Sequence, residues 1–384
     1  METFDVGVIG AGVHGASAAF HLASRGSNVV IFERWTPAAG PTGRSSAVCR
    51  AYYTNTFLAT AARDSIAMMG RFRELTGVDA GFRRTGMLFL HPPDDVNEVE
   101  VSAERLNQLG VVTALYDPGR FVQEYPEFNR DGIGVAALER DAGYADPHAT
   151  TEGLFRRAVE LGAVGRIGVR VVTLEPSERG VIVTSGDGTQ TSCGRVLIAA
   201  GPWTRPLAAQ VGADLPLTVE RHVVATFRWA GAEPTPAHGD LIGGYYFRPE
   251  GEDLYLVGPV HPAPQADPDD FDQEIREDEV RRLADAVVRR VPHLDRSEVQ
   301  GGWASLYDVS PDWQPVIGEV APNVFVDAGT SGHGFKLAPA LGKHVADLVS
   351  RSSELDPRLE DFDPFRFSRG SALPAGYRGA RILG

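Results

Sequence analysis

The chain has 384 residues, 43% of them hydrophobic and 23% charged, and a formal net charge of −14. These values describe a soluble globule long enough for a large core and two lobes, and the acidic balance argues against a nucleic-acid surface. No apolar run approaches the roughly 20 residues of a membrane-spanning helix. The two cysteines, Cys49 and Cys193, form neither a disulfide framework nor a metal-ligand spacing. The first strand begins close to Met1 and leaves no room for a signal peptide, so the expected compartment is the cytoplasm.

Residues 4–33 organise the rest. Val6 to Ile9 predicts a buried strand, and Gly10, Gly12 and Gly15 follow it as G-x-G-x-x-G. Val13, Ala16, Phe20 and Ala23 recur at helical spacing, Gly26 stops the helix, and Val29 to Phe32 predicts a second strand closing on Glu33. Gly10 allows the tight turn, Gly12 lets a pyrophosphate approach the backbone, and Gly15 lets helix and strand pack closely. The helix N-terminus, with Val13 and His14 in its turn, offers free N–H groups to phosphates, and Glu33 offers a carboxylate to ribose hydroxyls. His14 itself reads as a local packing choice. The unit predicts an adenine dinucleotide, FAD or NAD.

A Gly-, Pro-, Ser- and Thr-rich loop follows from Ala38 to Ser46, with Arg44 and Arg50 at its end; long loops of this kind tend to carry function. Ala59 to Thr76 predicts a helix stopped at Gly77. Phe82 to Leu90 predicts a strand leaving the first lobe, and Val96 to Leu106 an amphipathic helix. Glu139, Arg140 and Asp141 read as a solvated turn. Asp146-Pro147 is a helix start. Val169 to Glu175, Val181 to Ser185 and Thr189 to Cys193 predict a meander with Gly186-Asp187-Gly188 as a hairpin turn. A separate buried strand, Val196 to Ala200, then ends in Gly201-Pro202-Trp203. A helix, a meander and a return strand are what a dinucleotide lobe shows when it resumes after an insertion, so that lobe is expected to be discontinuous in sequence. Pro216 to Trp229, Tyr245 to Arg248 and Leu254 to Gly258 are β-rich, with a Pro-rich loop at 231–239, and Val280 to Val291 marks an amphipathic helix. Asn323 to Leu348 reads as strand, glycine loop and helix, a second place to hold an anion. Residues 352–384, most of all from Arg369 onward, read as a loosely held tail.

Four separated segments together resemble one family, the FAD-dependent amine oxidoreductases of the D-amino acid oxidase group, and within it sarcosine oxidase, glycine oxidase and dimethylglycine dehydrogenase. They are the N-terminal unit, Thr42 to Arg50, Leu197 to Thr204, and Tyr307 to Asp312 continuing through Gly318 to Lys336. Their order and spacing span nearly the whole chain. The resemblance implies an α/β, two-lobe fold: a Rossmann-type FAD-binding domain (1–81, 146–215 and 306–365) and a mixed, mainly antiparallel β-sheet substrate domain with flanking helices (82–145 and 216–305), followed by a polar tail at 366–384. It favours FAD over NAD at Glu33. It puts Arg34, Arg44, Ser45, Ser46, Val171, Ala200, Gly201 and Trp203 on the cofactor, and Ser331, Gly332, His333, Gly334, Phe335 and Lys336 along the flavin ring, with their N–H groups stabilising the reduced anion. Arg50 and Lys336 would hold a substrate carboxylate, which needs fixed positive partners in a poorly hydrated pocket, with Tyr307 and His333 beside them. The implied reaction is oxidation of the C–N bond of a small amino acid or N-alkyl amino acid. Hydride passes to flavin N5, and the imine hydrolyses to a carbonyl and an amine.

The sequence departs from the family in ways that shape this expectation. The position two residues before Tyr307, a flavin-bearing cysteine in monomeric sarcosine oxidases, is Ser305, so noncovalent FAD is expected. The oxygen-activating lysine of those enzymes has no counterpart in the strand Leu254 to Gly258, where Leu256 is the occupant. A family pocket histidine falls near Val260 or His261, out of register. Oxygen is the first acceptor to consider, and a non-oxygen acceptor or partner subunit the alternative. A flavin-holding subunit without substrate chemistry and an NAD-linked dehydrogenase are more remote. No metal is implied, and the oligomeric state is open.

Overall fold

The computed structural model describes residues 1–229 and 235–374. Part of the expected loop at 231–239, and residues 375–384 of the expected tail, lie outside these residues. In the first sheet the strand Glu2–Ile9 runs parallel between Val29–Glu33 and Gln190–Ile198. Val164–Ile167 extends the sheet beyond Val29–Glu33, and Val324–Ala328 extends it beyond Gln190–Ile198. Val29–Glu33 and Val324–Ala328 are buried along their whole length, as befits strands covered on both faces. The sheet gathers its strands from three stretches of sequence, 2–33, 164–198 and 316–328.

Two expectations change here. The expected strands Thr189–Cys193 and Val196–Ala200 are one strand, Gln190–Ile198, which changes partner half-way. Its first half pairs antiparallel with Gly180–Ser185 and its second half parallel with Val324–Ala328. Gly194 permits the passage, because a Cβ there would lie 2.9 Å from the Asp5 carbonyl oxygen. The strand Val164–Ile167 escaped the reading because its residues are largely exposed and carry no alternation.

The second sheet is also eight-stranded among the described residues, and mainly antiparallel; Met87–His91 and His238–Asp240 are its parallel pair. Alternation along Tyr245–Glu250 divides its two faces. Tyr245 and Phe247 join the core under the amphipathic helix Glu277–Arg290, whereas Tyr246 joins the core shared with the first sheet. The expected domain boundary at 305/306 falls inside the strand Glu298–Val309, which pairs with Thr218–Arg228 over its whole length and so belongs to the second sheet. The expected strand Phe82–Leu90 is two. Arg83–Arg84 joins a small sheet with Gly143–Tyr144 and Val48–Cys49, and Met87–His91 joins the large one. Gly86, at φ +67, makes the turn between them. The expected helix 59–76 starts earlier, at Thr56, capped by the Asn55 side chain, and breaks at Arg71 before Phe72–Thr76. Glu139 is not on a solvated turn: it ends the strand Val135–Glu139 and is 1% exposed.

The helix Gly334–Ser350 packs against Val13–Ala23 and Thr56–Gly70. It carries Pro339, which lacks an N–H and disturbs the preceding turn. Side chains from both neighbours repair the break. Ser65 Oγ donates to Leu337 O and accepts from Ala340 N, while Ser17 Oγ and His21 Nε2 both donate to Pro339 O. Among the described residues no helix is long and apolar enough to cross a membrane.

The expected loose tail is anchored through its first part. Arg366 is 2% exposed and makes two 2.8 Å bonds to the Asp312 carboxylate. Its other donors reach Phe362 O and Gln314 O. The guanidinium holds the Asp312 carboxyl below its usual range against the opposing effect of burial. A polar, Gly-rich sequence hid this, because one buried arginine on a matching acid gives no periodic signal. Arg366→Met, which strands the Asp312 charge, should cost about 3–5 kcal/mol. Because Asp312 is depressed in the folded protein, the stability it supplies is present above its unfolded pKa and lost as pH falls through the folded value. Thermal melts of wild type and variant should therefore converge towards low pH.

Candidate active site

The glycine motif is built as its chemistry requires. Gly10 has φ +105, and a Cβ on Gly15 would lie 1.9 Å from Gly10 O. Gly12 caps the helix Val13–Ala23 at φ −67, with no acid in the first turn, and Val13 N is met by Thr42 Oγ1 at 3.2 Å. The Glu33 carboxylate accepts from Ala11 N and Trp35 N, both at 2.8 Å, and keeps lone pairs for a further donor.

A cavity of about 430 Å³ opens over this turn. Of the expected cofactor residues, Gly10, Gly12, Val13, His14, Glu33 and Arg34 line it, as do Arg44, Ser45, Ser46, Val171, Ala200, Gly201 and Trp203, then Gly332, Gly334 and Phe335. Tyr307 lines it too. Gly15, Ser331, His333, Lys336 and Arg50 do not. At one end the Arg34 guanidinium lies in the corner of two perpendicular indoles, 3.6 Å from the ring centre of Trp35 and 4.1 Å from that of Trp203. Asp269, from the second lobe, accepts from both Arg34 and Trp203 at 2.9 Å.

The ring-side expectation needs correction. Ser331 N donates to Asp308 O and His333 N to Thr330 O, each at 2.8 Å, so those two amides are committed within the loop. The amides left to face a ring are those of the first helical turn, from Gly334 onward, where no acidic residue intervenes. Gly332 is required for space as well as conformation: at φ +81, a Cβ would sit 2.4 Å from the Tyr307 ring.

His14 is more than packing. Its Nδ1 lies 2.8 Å from Asp327 Oδ2 and its Nε2 3.1 Å from Gly334 O. Both partners accept, which only the doubly protonated imidazolium satisfies. Burial opposes that charge, but the charge and hydrogen bond of Asp327, with the charge of Asp308, raise the imidazole above its ordinary pKa. His14 thus lines the cavity where the two helix N-termini meet, with its protonated form favoured by Asp327 and Asp308.

Arg50 and Lys336 lie deeper, 3% and 6% exposed. Arg50 Nη1 donates to Tyr52 O at 2.7 Å, and its guanidinium lies 4.5 Å from the Tyr53 ring centre. Tyr53 Oη meets His333 Nδ1 at 3.2 Å. Lys336 Nζ approaches Gly332 O at 3.4 Å. Burial, then the positive charge of Arg50, pushes the Lys336 ammonium well below its ordinary pKa. The two side chains are thus near enough for the Arg50 charge to act on Lys336.

The reading missed Glu220 and His222. His222 lines the cavity, stacks on Tyr307 with ring centres 3.9 Å apart, and has its Nε2 3.1 Å from Glu220 Oε2. Burial lowers its pKa against the opposing pull of Glu220. Alternation along Thr218–Arg228 could have found the pair, since Glu220, His222 and Val224 share one face of a strand.

These residues fit an FAD: a glycine turn, an acid for ribose, two helix N-termini whose N-cap residues give no side-chain cap, a histidine with raised pKa and a cavity that joins them. Compared with known families, residues 5–348 match the one described as FAD dependent oxidoreductase. The chain belongs to that family. Its cofactor is FAD. It is 29% identical to 4-methylaminobutanoate oxidase (formaldehyde-forming) of Paenarthrobacter nicotinovorans, over 93% of this chain but only 45% of that relative, so it spans under half of that protein. It is 27% identical to monomeric sarcosine oxidase of Streptomyces avermitilis, over 96% of this chain and 99% of the relative. Among solved structures, L-proline dehydrogenase from P. horikoshii has a TM-score of 0.86 at 26% identity, covering 96% of this chain and 99% of that one.

Two glycine substitutions separate cofactor binding from folding. In Gly12→Ala the new Cβ meets only Thr42 Oγ1, at 3.2 Å, so the protein should fold. The methyl group intrudes where pyrophosphate approaches, and flavin should be held at least about tenfold more weakly. Gly15→Ala should fail to fold. The ratio of flavin to protein absorbance, with melting of the apoprotein, reads both outcomes.

Proposed function

We propose that this flavoprotein oxidises the C–N bond of a small amino acid or N-alkyl amino acid. The observation that carries the reading is the buried pair Arg50 and Lys336. Burial and the Arg50 charge disfavour the Lys336 ammonium, and a substrate carboxylate beside both side chains would favour its charged form. Bound FAD supplies the acceptor for a hydride from the carbon beside nitrogen, and water then hydrolyses the imine to a carbonyl and an amine. The chain's own part is to hold the carboxylate, orient that carbon and exclude water. Tyr307, stacked on His222 beside Gly332, would form one wall of the site, and Tyr53 with His333 another.

We assign residues 1–81 and 146–215, with the segment after Val309 through 365, to the FAD lobe, and 82–145 with 216–309 to the substrate lobe. FAD is held without a covalent bond: Ser305 lines the cavity, and both cysteines are buried, with pKa values pushed up to about 12 chiefly by burial. Free, buried thiols suit a reducing cytoplasm. Oxygen is the proposed acceptor. Leu256, buried in a strand without lysine, favours a second reading, the same oxidation with another acceptor.

Anaerobic mixing with sarcosine, glycine, proline and D-amino acids should bleach the flavin with at least one of them. No bleaching across the panel would overturn the reading. Arg50→Met and Lys336→Met should each retain FAD but raise the half-saturating concentration of that substrate by on the order of a hundredfold. Peroxide yield against dye reduction on one substrate separates oxygen from another acceptor.

A further inference from the structure

Glu139 closes the strand Val135–Glu139 in the second sheet, opposite Met87 and Thr113 on its two neighbours. Its carboxylate leaves the sheet and reaches the loop that carries Arg50. Oε1 accepts from Ala51 N at 2.8 Å and Oε2 from Tyr52 N at 3.0 Å. The carbonyl of Tyr52 in turn accepts from Arg50 Nη1 at 2.7 Å. The carboxylate thus holds the peptides on both sides of Ala51, and the next peptide, through Tyr52 O, holds the guanidinium. A second tie lies alongside: the Tyr52 ring stacks on Phe89 at 4.3 Å, and its hydroxyl meets His91 Nε2 at 3.2 Å. The loop after Val48–Cys49 is thus bound to the roof sheet as well as, through Tyr53 and His333, to the lobe it arises from.

We infer that Glu139 is the positioning residue for Arg50, fixing the carboxylate anchor against the roof sheet through the amides of Ala51 and Tyr52. This rests on the reading of Arg50 as that anchor. A charged carboxylate can accept from both amides, whereas a neutral carboxyl group turns one oxygen into a donor that faces an N–H. Burial raises Glu139 to about 7, against the pull of the Ala51 amide, the Arg50 charge and the Tyr52 amide, and with a further push from Asp141. The titratable groups around it are Arg50, Cys49 and Tyr53 on the loop and Asp141, paired with Arg84, on the following turn. Lys336 faces Cys49 from the helix Gly334–Ser350. Met87 and Thr113 bring no charge.

As pH falls through about 7, Glu139 takes up a proton and gives up one amide. The hold on Arg50 loosens, and KM for a carboxylate substrate rises. Lys336 works in the opposite direction, since its ammonium forms as pH falls. It is common to wild type and variant, so the difference between their profiles isolates Glu139.

The test uses the FAD-loaded protein and the best substrate of the bleaching panel. In Glu139→Gln one oxygen remains to accept and the amide nitrogen opposes the second N–H, so KM should rise about tenfold near pH 8. The limiting bleaching rate should change by less than about threefold. The component of the KM profile that titrates near 7 should be present in wild type, absent from Glu139→Gln and restored in Glu139→Asp. An N-alkyl amine lacking a carboxylate should show no effect. A raised KM in Arg50→Met beside an unchanged KM in Glu139→Gln would overturn the proposal alone. Equal loss of KM and limiting rate at every pH, with loss of flavin, would overturn it in favour of a merely structural role. An unchanged KM in Arg50→Met would instead sink the anchor reading on which both stand.

Discussion

Two basic side chains buried near one another, Arg50 and Lys336, are the constraint that elements from both lobes serve. Arg50 leaves a short strand of the small sheet, and Lys336 sits in the first turn of a long helix. Neither position is comfortable. An ammonium near a helix N-terminus opposes the helix dipole, and a second positive charge nearby adds repulsion that little water screens. Fixed dipoles offset part of the cost, the carbonyl of Tyr52 for one and that of Gly332 for the other. The pair persists because elements from both lobes over-determine it. The small sheet sets the start of the Arg50 loop, the roof sheet grips its next two peptides, and Ser65 and Ser17 splint the proline-broken helix just past Lys336.

The cofactor cavity follows the same economy. Positive potential comes from backbone, at two helix N-termini, and from the His14 imidazole, whose pKa Asp327 and Asp308 raise against burial. His14 meets Asp327, 313 positions along the chain on the strand Val324–Ala328, and Gly334 O, and so ties the helix Val13–Ala23 to the start of the helix Gly334–Ser350. The same contact makes the two glycine loops one site.

Local chemistry was legible and long-range partnership was not. Gly10, Gly12 and Gly15 could be assigned separate tasks because each answers a steric demand within a few residues. The discontinuous first sheet could be inferred because buried parallel strands are unbroken apolar runs, as in Val29–Glu33 and Val324–Ala328. Reading failed where a residue's meaning depends on a partner far along the chain. Glu139 looked solvated beside Arg140 and Asp141, since nothing nearby announces the amides of Ala51 and Tyr52. Arg366 looked like tail because Asp312 lies 54 positions earlier. Strand Gln190–Ile198 was split in two because its partners, and hence its pattern, change in the middle. Ser331 and His333 were given ring-facing amides because sequence does not tell which N–H a tight loop spends on itself.

The corner that Trp35 and Trp203 make for Arg34 touches both lobes. Asp269 belongs to the opposite lobe, yet it bonds both the guanidinium and one of the indoles, so the adenosine end of the cavity is bridged across the lobe junction. Asp269 is more than half exposed, and a pair of that kind is worth on the order of 1 kcal/mol or less. It therefore orients the Arg34 guanidinium against the two indoles without locking that end of the cavity.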